Sequence, residues 1–438
     1  MESLIYPGSV PSFRSQLDLT SIPMTNISIL QSEFHTYYPY ANIKDSSNPV
    51  EFIIPSSTSY FLDLNSSFLY LRLRILKSND TNLSATDIVA PSHGFLSAMF
   101  NSLEVSMNST IISKIASLYS YRAHILDLLT HGTGYKATIL STSMYYPDLK
   151  SDTFTAAENK GFETRLNYSK LSTPFEVLGK LSETAFTQDR YFPSEIETKI
   201  VLRRSPEAFC LTGADIGNAT QFPYKLVIDD CVLYVKKYLI NSQVLAYHQK
   251  LLSSGKKYQY PLRTIEMRTF SIAQGCQSIA SEVLFRNYLP EYLVITFVDS
   301  VAINASIKHS AFNFQPFGIS SIKAYVDGDS SVYRSLSFDT ANNISLLEYN
   351  TLLTAQPYTS DGHGISRSDY IDGSFLIVLD IQSSNMGNRF QAKKRGHTSI
   401  DLTFKSPLTK SINCIVLGQF SELLTIDENR VVSMMESN

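Results

Sequence analysis

Two short stretches of this sequence decide the fold, because they repeat one strand–turn pattern. Residues 103–112 read LEVSMNSTII, in which apolar and polar side chains alternate up to the turn candidate Asn108-Ser109. Residues 322–328 read IKAYVDG, with the same alternation up to Asp327-Gly328. Alternation places every second side chain on one face of a strand, and Asp-Gly favours a type I′ hairpin turn. The two stretches match at an offset of 219 residues, half of the 438-residue chain, which indicates a duplicated β domain.

A helical pattern follows each hairpin. The first covers residues 118–131, with one apolar stripe and Gly132 as a candidate C-cap, and the second lies near residues 344–353. The residues of the first stripe are Leu118, Tyr121, Ile125, Leu128 and Leu129. A strand–turn–strand–helix unit in each half strengthens the interpretation that the halves are copies.

Short strand patterns separated by turn residues fill most of the remaining chain. They lie at residues 50–54, 60–64, 68–76, 175–181, 197–204, 225–240, 263–272, 292–298, 374–381, 399–404 and 412–417. Many short strands at regular spacing are typical of sandwiches and jelly rolls. We therefore expect an all-β protein with two tandem jelly-roll β-sandwiches (a double jelly roll) and a few short helices in connecting loops.

Changes in residue periodicity and residue type along the sequence predict where the domains begin and end. Residues 1–45 show no sustained period of 2 or 3.6 and are expected to form an extended N-terminal arm. The first jelly roll is expected at 46–240 and the second at 258–438. Residues 241–257 hold a short helical pattern and a Ser-Ser-Gly-Lys-Lys run, so we interpret them as the connecting segment.

Composition excludes several classes of protein. Charged residues make up 18% of the chain and the net charge is −3, so no global basic field attracts nucleic acid or anionic lipid. No stretch is long enough to predict a membrane span. The N-terminus lacks the pattern of a signal peptide, so we expect synthesis in the cell interior. The four cysteines form no C-x-x-C pair, which argues against a zinc ribbon or a disulfide framework.

Candidate metal and nucleophile residues are present, but their spacing is poor. His124 and His131 are two helical turns apart, about 10 Å, which is too far for one zinc ion even with Asp127 between them. A solvated or subunit-facing helix surface is the simpler interpretation. Ser366, Asp369 and His363 contain the residue types of a triad, yet no G-x-S-x-G elbow supports one.

Two further clusters contain residue types found in functional sites. Glu195 and Glu197 would share one face of a predicted strand at about 7 Å, like a glycosidase pair, but the chain has no Trp for sugar stacking. Lys393-Lys394-Arg395 with His397 could contact nucleic acid, although a solvated loop between strands is the default interpretation. Gly255-Lys256 lacks the first glycine of a phosphate loop. We therefore predict no catalytic residue, no metal ligand and no cofactor.

The sequence as a whole resembles the double-jelly-roll major capsid protein of Polinton/Maverick elements and their adintovirus-like relatives. Order and spacing of the resembling stretches hold from about residue 50 to residue 432. The stretches are residues 94–105 (GFLSAMFNSLEV), 119–126 (YSYRAHIL), 261–266 (PLRTIE), 312–318 (FNFQPFG), 325–328 (YVDG), 364–370 (GISRSDY) and 424–430 (LTIDENR). The family usually has Asn-Gly where this chain has Asn108-Ser109.

The resemblance implies a structural protein rather than an enzyme. It implies a homotrimeric hexon whose six jelly rolls form a pseudo-hexagonal unit of an icosahedral virion capsid around double-stranded DNA. The partners that it implies are other trimers of the same chain, a single-jelly-roll penton or minor capsid protein, a maturation protease and a packaging ATPase. It implies no specific nucleic-acid sequence and no transmembrane segment. Two alternatives stay open at this point: a lectin-like β-sandwich binding module and a jelly-roll hydrolase.

Overall fold

The computed structural model describes most of the chain. The described residues are 15–22, 24–44, 46–115, 117–148, 152–154, 158–214, 222–329, 335–339, 342, 345–354, 362–382 and 393–435. All strand pairs between named strands are antiparallel.

The strands fall into two sets along the chain. The strands of the first half are β1 Ile29–Tyr37, β2 Val50–Ile54, β3 Tyr60–Lys77, β4 Val89–Pro91, β5 Phe100–Met107, β6 Thr110–Ile115, β7 Phe175–Gly179, β8 Phe192–Pro193, β9 Thr198–Arg204, β10 Leu211–Gly213 and β11 Tyr224–Ile240. The strands of the second half are β12 Tyr258–Ile272, β13 Ser278–Phe285, β14 Tyr292–Asp299, β15 Ile319–Val326, β16 Leu336–Ser337, β17 Ile377–Asp380, β18 Thr398–Phe404, β19 Ile412–Ile426 and β20 Val432–Met435.

Short helices lie between the strands. The α-helices are α1 Phe95–Met99, α2 Tyr119–Thr130, α3 Thr133–Thr138, α4 Lys160–Ser169, α5 Glu207–Cys210, α6 Ser242–Ser253, α7 Ser300–Ile303, α8 Leu346–Thr354 and α9 Arg367–Ile371. Single turns of 3-10 helix occur at Ser15–Leu17, Leu140–Ser143, Lys170–Ser172 and Thr184–Thr187. Among the described residues, no helix is long and apolar enough to cross a membrane.

Each half forms two facing sheets with the same strand order. In the first half the orders are β1-β11-β3-β7 and β2-β9-β5-β6, and in the second half they are β12-β19-β14-β17 and β13-β18-β15-β16. Along each half the chain visits the two sheets in one identical sequence, and β4, β8, β10 and β20 are additions at the margins. Two antiparallel four-stranded sheets connected in this way are a jelly roll. The predicted double jelly roll is confirmed.

The register confirms the duplication as well. Val105 on β5 lies opposite Ile200 on β9, and Ala324 on β15 lies opposite Ile400 on β18. Val105 and Ala324 are the positions that the 219-residue offset makes equivalent. They lie on the third strand of corresponding sheets. β5 lies between β9 and β6, and β15 lies between the equivalent strands β18 and β16.

Both predicted hairpin turns have left-handed backbone at their two central residues. Asn108 and Ser109 have φ of 44° and 66°, and Asp327 and Gly328 have φ of 52° and 83°. This is the type I′ geometry that suits the twist of paired strands. Asn tolerates it because its side chain can bond to nearby backbone: its Oδ1 accepts from the N–H of Glu197.

The expectation that residues 1–45 contain no regular strand is wrong for residues 29–37. These residues form β1, which pairs with β11 from Ile29 to Tyr37 and is the edge strand of the first sheet. Glu33 and His35 are half-buried on the inner side of β1 and Phe34 is exposed on its outer side. Backbone pairing with β11 holds this strand in place. The sequence shows no apolar alternation here because polar side chains lie on the inner face of the strand.

Smaller predictions about element ends also need correction. The patterns at 60–64 and 68–76 belong to one long strand, β3. Gly132 does not cap α2, since its φ is −73° and the helix ends one residue earlier, with His131 as its C-cap.

Candidate functional site

The two jelly rolls meet at α2, a helix of the first roll that contributes to two hydrophobic cores. Tyr119 and Ala123 lie in the core of the first roll. A second stripe lies in the core built mainly by the second roll, and its members are Tyr121, Ile125, Leu128 and Leu129. Residues at spacings of three and four share a helix face, so the two stripes point to different sides. We call α2 the interface helix.

Aromatic rings from the second roll cover the interface helix. The ring of Phe312 stacks on His124 with centroids 4.1 Å apart and planes 11° apart. Tyr121 meets Phe312 edge-on at 5.8 Å and Phe314 at 6.4 Å. Edge-to-face and offset aromatic pairs add to the free energy gained by burying the rings. These contacts fasten the two rolls to each other.

The prediction that His124 lies on a solvated or subunit-facing surface is wrong. His124 is 2% exposed, and burial together with the nearby His93 holds its pKa well below the ordinary value. His93 is also buried, and desolvation lowers its pKa to about 3. A helix pattern could not reveal this, because the covering rings come from residues almost two hundred positions away.

The predicted metal candidates do not form a site. The His131 Nε2 and Asp127 Oδ1 atoms are 4.0 Å apart, but His124 packs on Phe312 instead. Among the described residues no group of three His, Cys, Asp or Glu side chains could hold an ion. Burial raises the pKa of Asp127 to about 7, although the hydroxyl of Ser97 donates to it. Asp127 is therefore only about half ionised at neutral pH, whereas an ordinary aspartate is almost fully charged.

Further polar contacts join the rolls beside the interface helix. The Lys136 Nζ donates to the carbonyl oxygen of Leu128 at 2.8 Å and to that of His363, in the second roll, at 2.6 Å. Burial lowers the pKa of Lys136 to about 8. The Nδ1 of His363 accepts from the N–H of Ile365, and burial lowers the pKa of His363 to about 4. The Lys136 ammonium thus connects α2 of the first roll to a loop of the second, which is a structural role.

The remaining triad candidates act as helix ends. The Ser366 hydroxyl accepts from the N–H of Asp369, and the Asp369 carboxylate accepts from the N–H of Ser366, which is a capping box at the start of α9. His363 faces its own loop. The structure does not assemble a nucleophile and base from them.

The glutamate pair precedes β9 and lies in a turn, so its prediction as a strand pair is wrong. Glu195 forms an ion pair with Arg430 from the second roll. The Glu197 N–H donates to Asn108 in the first hairpin turn. The Glu195 carboxylate is thus engaged by Arg430, and the backbone of Glu197 is fixed by the first hairpin turn.

The basic cluster lies at the margin of a cleft of about 1090 Å³ in the second roll. The Lys393 Nζ is 4.1 Å from the ring centroid of Tyr288 and 3.6 Å from the Glu422 carboxylate. His397 Nδ1 is 2.9 Å from Asp327 Oδ1. The Glu422 carboxylate therefore offsets the charge of Lys393, and Asp327 pairs with His397.

Apolar side chains without cover mark two other surfaces. The N-terminal segment, residues 15–22 and 24–28, runs ahead of β1 with Met24 and Ile22 almost fully exposed. On α8, Leu346 is 60% exposed and Leu353 is 45% exposed. Exposed apolar side chains that cluster on one element commonly mark an interaction site.

Comparisons with known proteins agree with this architecture. No protein-family model matches the chain. An uncharacterized protein of Caenorhabditis elegans is 21% identical over 414 residues, which cover 91% of this chain and 96% of that protein.

Solved virus structures share the fold over nearly the full length. A chain of the Sputnik virophage structure has a TM-score of 0.66 at 13% identity, with 99% of this chain and 94% of that chain covered. The mavirus major capsid protein has a TM-score of 0.59 at 11% identity, with coverage of 99% and 97%. A chain of the PBCV-1 virus capsid has a TM-score of 0.61 at 10% identity, with coverage of 96% and 100%. The structural neighbours are thus double-jelly-roll capsid proteins of virophages and large DNA viruses.

Proposed function

We propose that this chain is a major capsid protein of the virion shell. It self-assembles as homotrimers, and these tile an icosahedral capsid around double-stranded DNA. The observation that carries the proposal is the pair of jelly rolls with identical strand order and equivalent register, joined through one shared helix. The full-length likeness to virophage and PBCV-1 capsid chains supports it.

The proposed domain boundaries follow the sheets. No strand of the first half pairs with a strand of the second half among the described residues. The first roll therefore extends from β1 to residue 240, so it takes in residues 29–45 of the expected arm. The segment 241–257 holds α6 and connects the rolls, and the second roll begins at β12.

The Polinton/Maverick lineage is part of the proposal. The resembling motifs extend over most of the chain, and a relative of similar length in a nematode is what an element resident in animal genomes would leave. The capsid role also implies a single-jelly-roll penton protein at the vertices. The exposed N-terminal segment is suited to contact a neighbouring subunit or an inner shell component.

The proposal is structural, not enzymatic. The predicted carboxylate pair lies in a turn and one member pairs with Arg430. Replacing Glu195 and Glu197 together with glutamine should leave trimer formation unchanged, because neither lies on a proposed contact between copies. A loss of a hydrolytic activity in that variant would favour the jelly-roll hydrolase.

Light scattering of the purified full chain tests the proposal. The expected mass is about three times the 49.1 kDa of one chain. The trimer should persist at micromolar concentration, because obligate interfaces commonly bury about 2,000 Å² or more. Electron microscopy should show pseudo-hexagonal particles, each built from three double rolls. A stable monomer at micromolar concentration contradicts the proposal and favours a lectin-like binding module.

A further inference from the structure

The two rolls carry corresponding helices at one place in their topology. The interface helix α2 follows β6 in the first roll, and α8 follows β16 in the second. β6 and β16 occupy the same end of corresponding sheets. The helices are therefore counterparts, whatever their different lengths.

The counterparts differ in what covers them. The outer stripe of α2 is buried by the second roll, so Tyr121 and Ile125 are 1% and 0% exposed. The inner side of α8 is equally well buried on its own roll, where Leu352 is 0% and Glu348 6% exposed. The outer side of α8 has no such cover among the described residues.

The outer side of α8 is apolar. Leu346, Leu347 and Leu353 are 60%, 44% and 45% exposed. Leu346 and Leu353 are two turns apart on one helix stripe. We call these three leucines the α8 face. A solvated helix side would normally be polar, so the α8 face needs a partner as the outer stripe of α2 does.

The chain itself shows what covers such a face. The outer stripe of α2 packs on the connection between β14 and β15 of the roll that follows it, where Phe312 and Phe314 lie. The second roll has no roll after it in the described chain. We propose that the α8 face packs on the first roll of a second copy, at the connection between β3 and β5.

The receiving connection carries an exposed apolar side chain. Residues 78–99 join β3 to β5, as residues 300–318 join β14 to β15. Ile88 in this connection is 41% exposed. Repeating one contact from roll to roll, alternately within and between copies, makes a head-to-tail interface that closes into a ring. This inference rests on the proposed homotrimer and assigns its interface.

Charged substitutions on the α8 face test the assignment. Leu346→Glu with Leu353→Lys places an acid near the start and a base near the end of α8, so the helix itself remains favourable. Light scattering should then change from about three chain masses to one, with the far-UV circular dichroism unchanged. Val301→Lys is the matched control, because Val301 is 53% exposed on α7 of the same roll, and this variant should remain a trimer.

A cysteine pair gives an independent measurement. Ile88→Cys combined with Leu346→Cys should form disulfide-linked multimers under mild oxidation, and either single variant should not. If the charged variant fails to fold, this crosslink decides alone: linked multimers support the assignment and their absence overturns it. If the wild type is a trimer and the charged variant is also a trimer, the α8 interface is wrong but the capsid proposal stands. A monomeric wild-type chain overturns both.

Discussion

Truncating Phe312 should weaken the joint between the two rolls more than any surface change. This side chain is 4% exposed and contacts three aromatic rings, those of His124, Tyr121 and Phe209. Removing a buried Phe side chain costs about 3–5 kcal/mol through lost burial and the cavity left behind. We expect a loss of about 4 kcal/mol, a large part of the roughly 5–15 kcal/mol that stabilises an ordinary domain.

Urea unfolding of the Phe312→Ala variant measures this loss. Tyrosine fluorescence is a suitable probe, because the chain has 26 Tyr and no Trp. Protein concentration must be held fixed, since oligomer stability depends on it. The wild type should unfold in one transition, and the variant should unfold at lower urea with the two rolls separating into distinct steps. Tyr247→Ala, at a 61% exposed position of α6, is the control and should change stability by no more than about 0.5 kcal/mol. A loss below about 1 kcal/mol for Phe312→Ala would refute the idea that the aromatic contact joins the rolls.

Two further predictions concern the N-terminus and acid. Deleting residues 2–27 should keep the trimer and impair only shell assembly. Deleting residues 2–40 removes β1, leaves the β11 edge unpaired and should lower the melting temperature and promote aggregation, as light scattering and thermal melts would show; equal behaviour of the two truncations would contradict this. His93 and His124 have pKa values below the ordinary 6.5, so the unfolded chain binds protons that the folded chain does not, and stability should fall as pH drops below about 6.5. The pKa of Asp127 is raised to about 7, so the folded chain binds this proton more tightly than the unfolded chain. Its contribution to stability therefore rises as pH falls and offsets part of the loss. Urea midpoints from pH 7 to pH 4 measure the sum, and a midpoint that stays flat or rises would refute the net prediction.

The duplication could be predicted from the sequence because strands leave a local signature. The alternation around Val105 and Ala324 survives in both copies, and each turn keeps residues that tolerate left-handed backbone. The predicted stripe on α2 was also correct for its buried apolar side chains.

The parts that sequence reasoning missed depend on partners far away in the chain. β1 was missed because Glu33 and His35 lie on its inner face, and pairing with β11 supplies what apolar alternation does not. The burial of His124 depends on Phe312, and the sequence marks Phe312 only as part of a resembling motif. Local patterns report which face is apolar, whereas a buried polar side chain depends on the tertiary neighbours that satisfy it.

The shared interface helix has a consequence for how the chain folds while the ribosome synthesises it. Tyr121 and Ile125 emerge long before the residues that bury them, so a newly made first roll presents an unfinished apolar surface until the second roll follows. Domains normally fold one after another during synthesis, and here the outer stripe of α2 stays uncovered until the second roll has been made. Duplication has produced halves that share one strand order and that both contribute to the burial of a single helix.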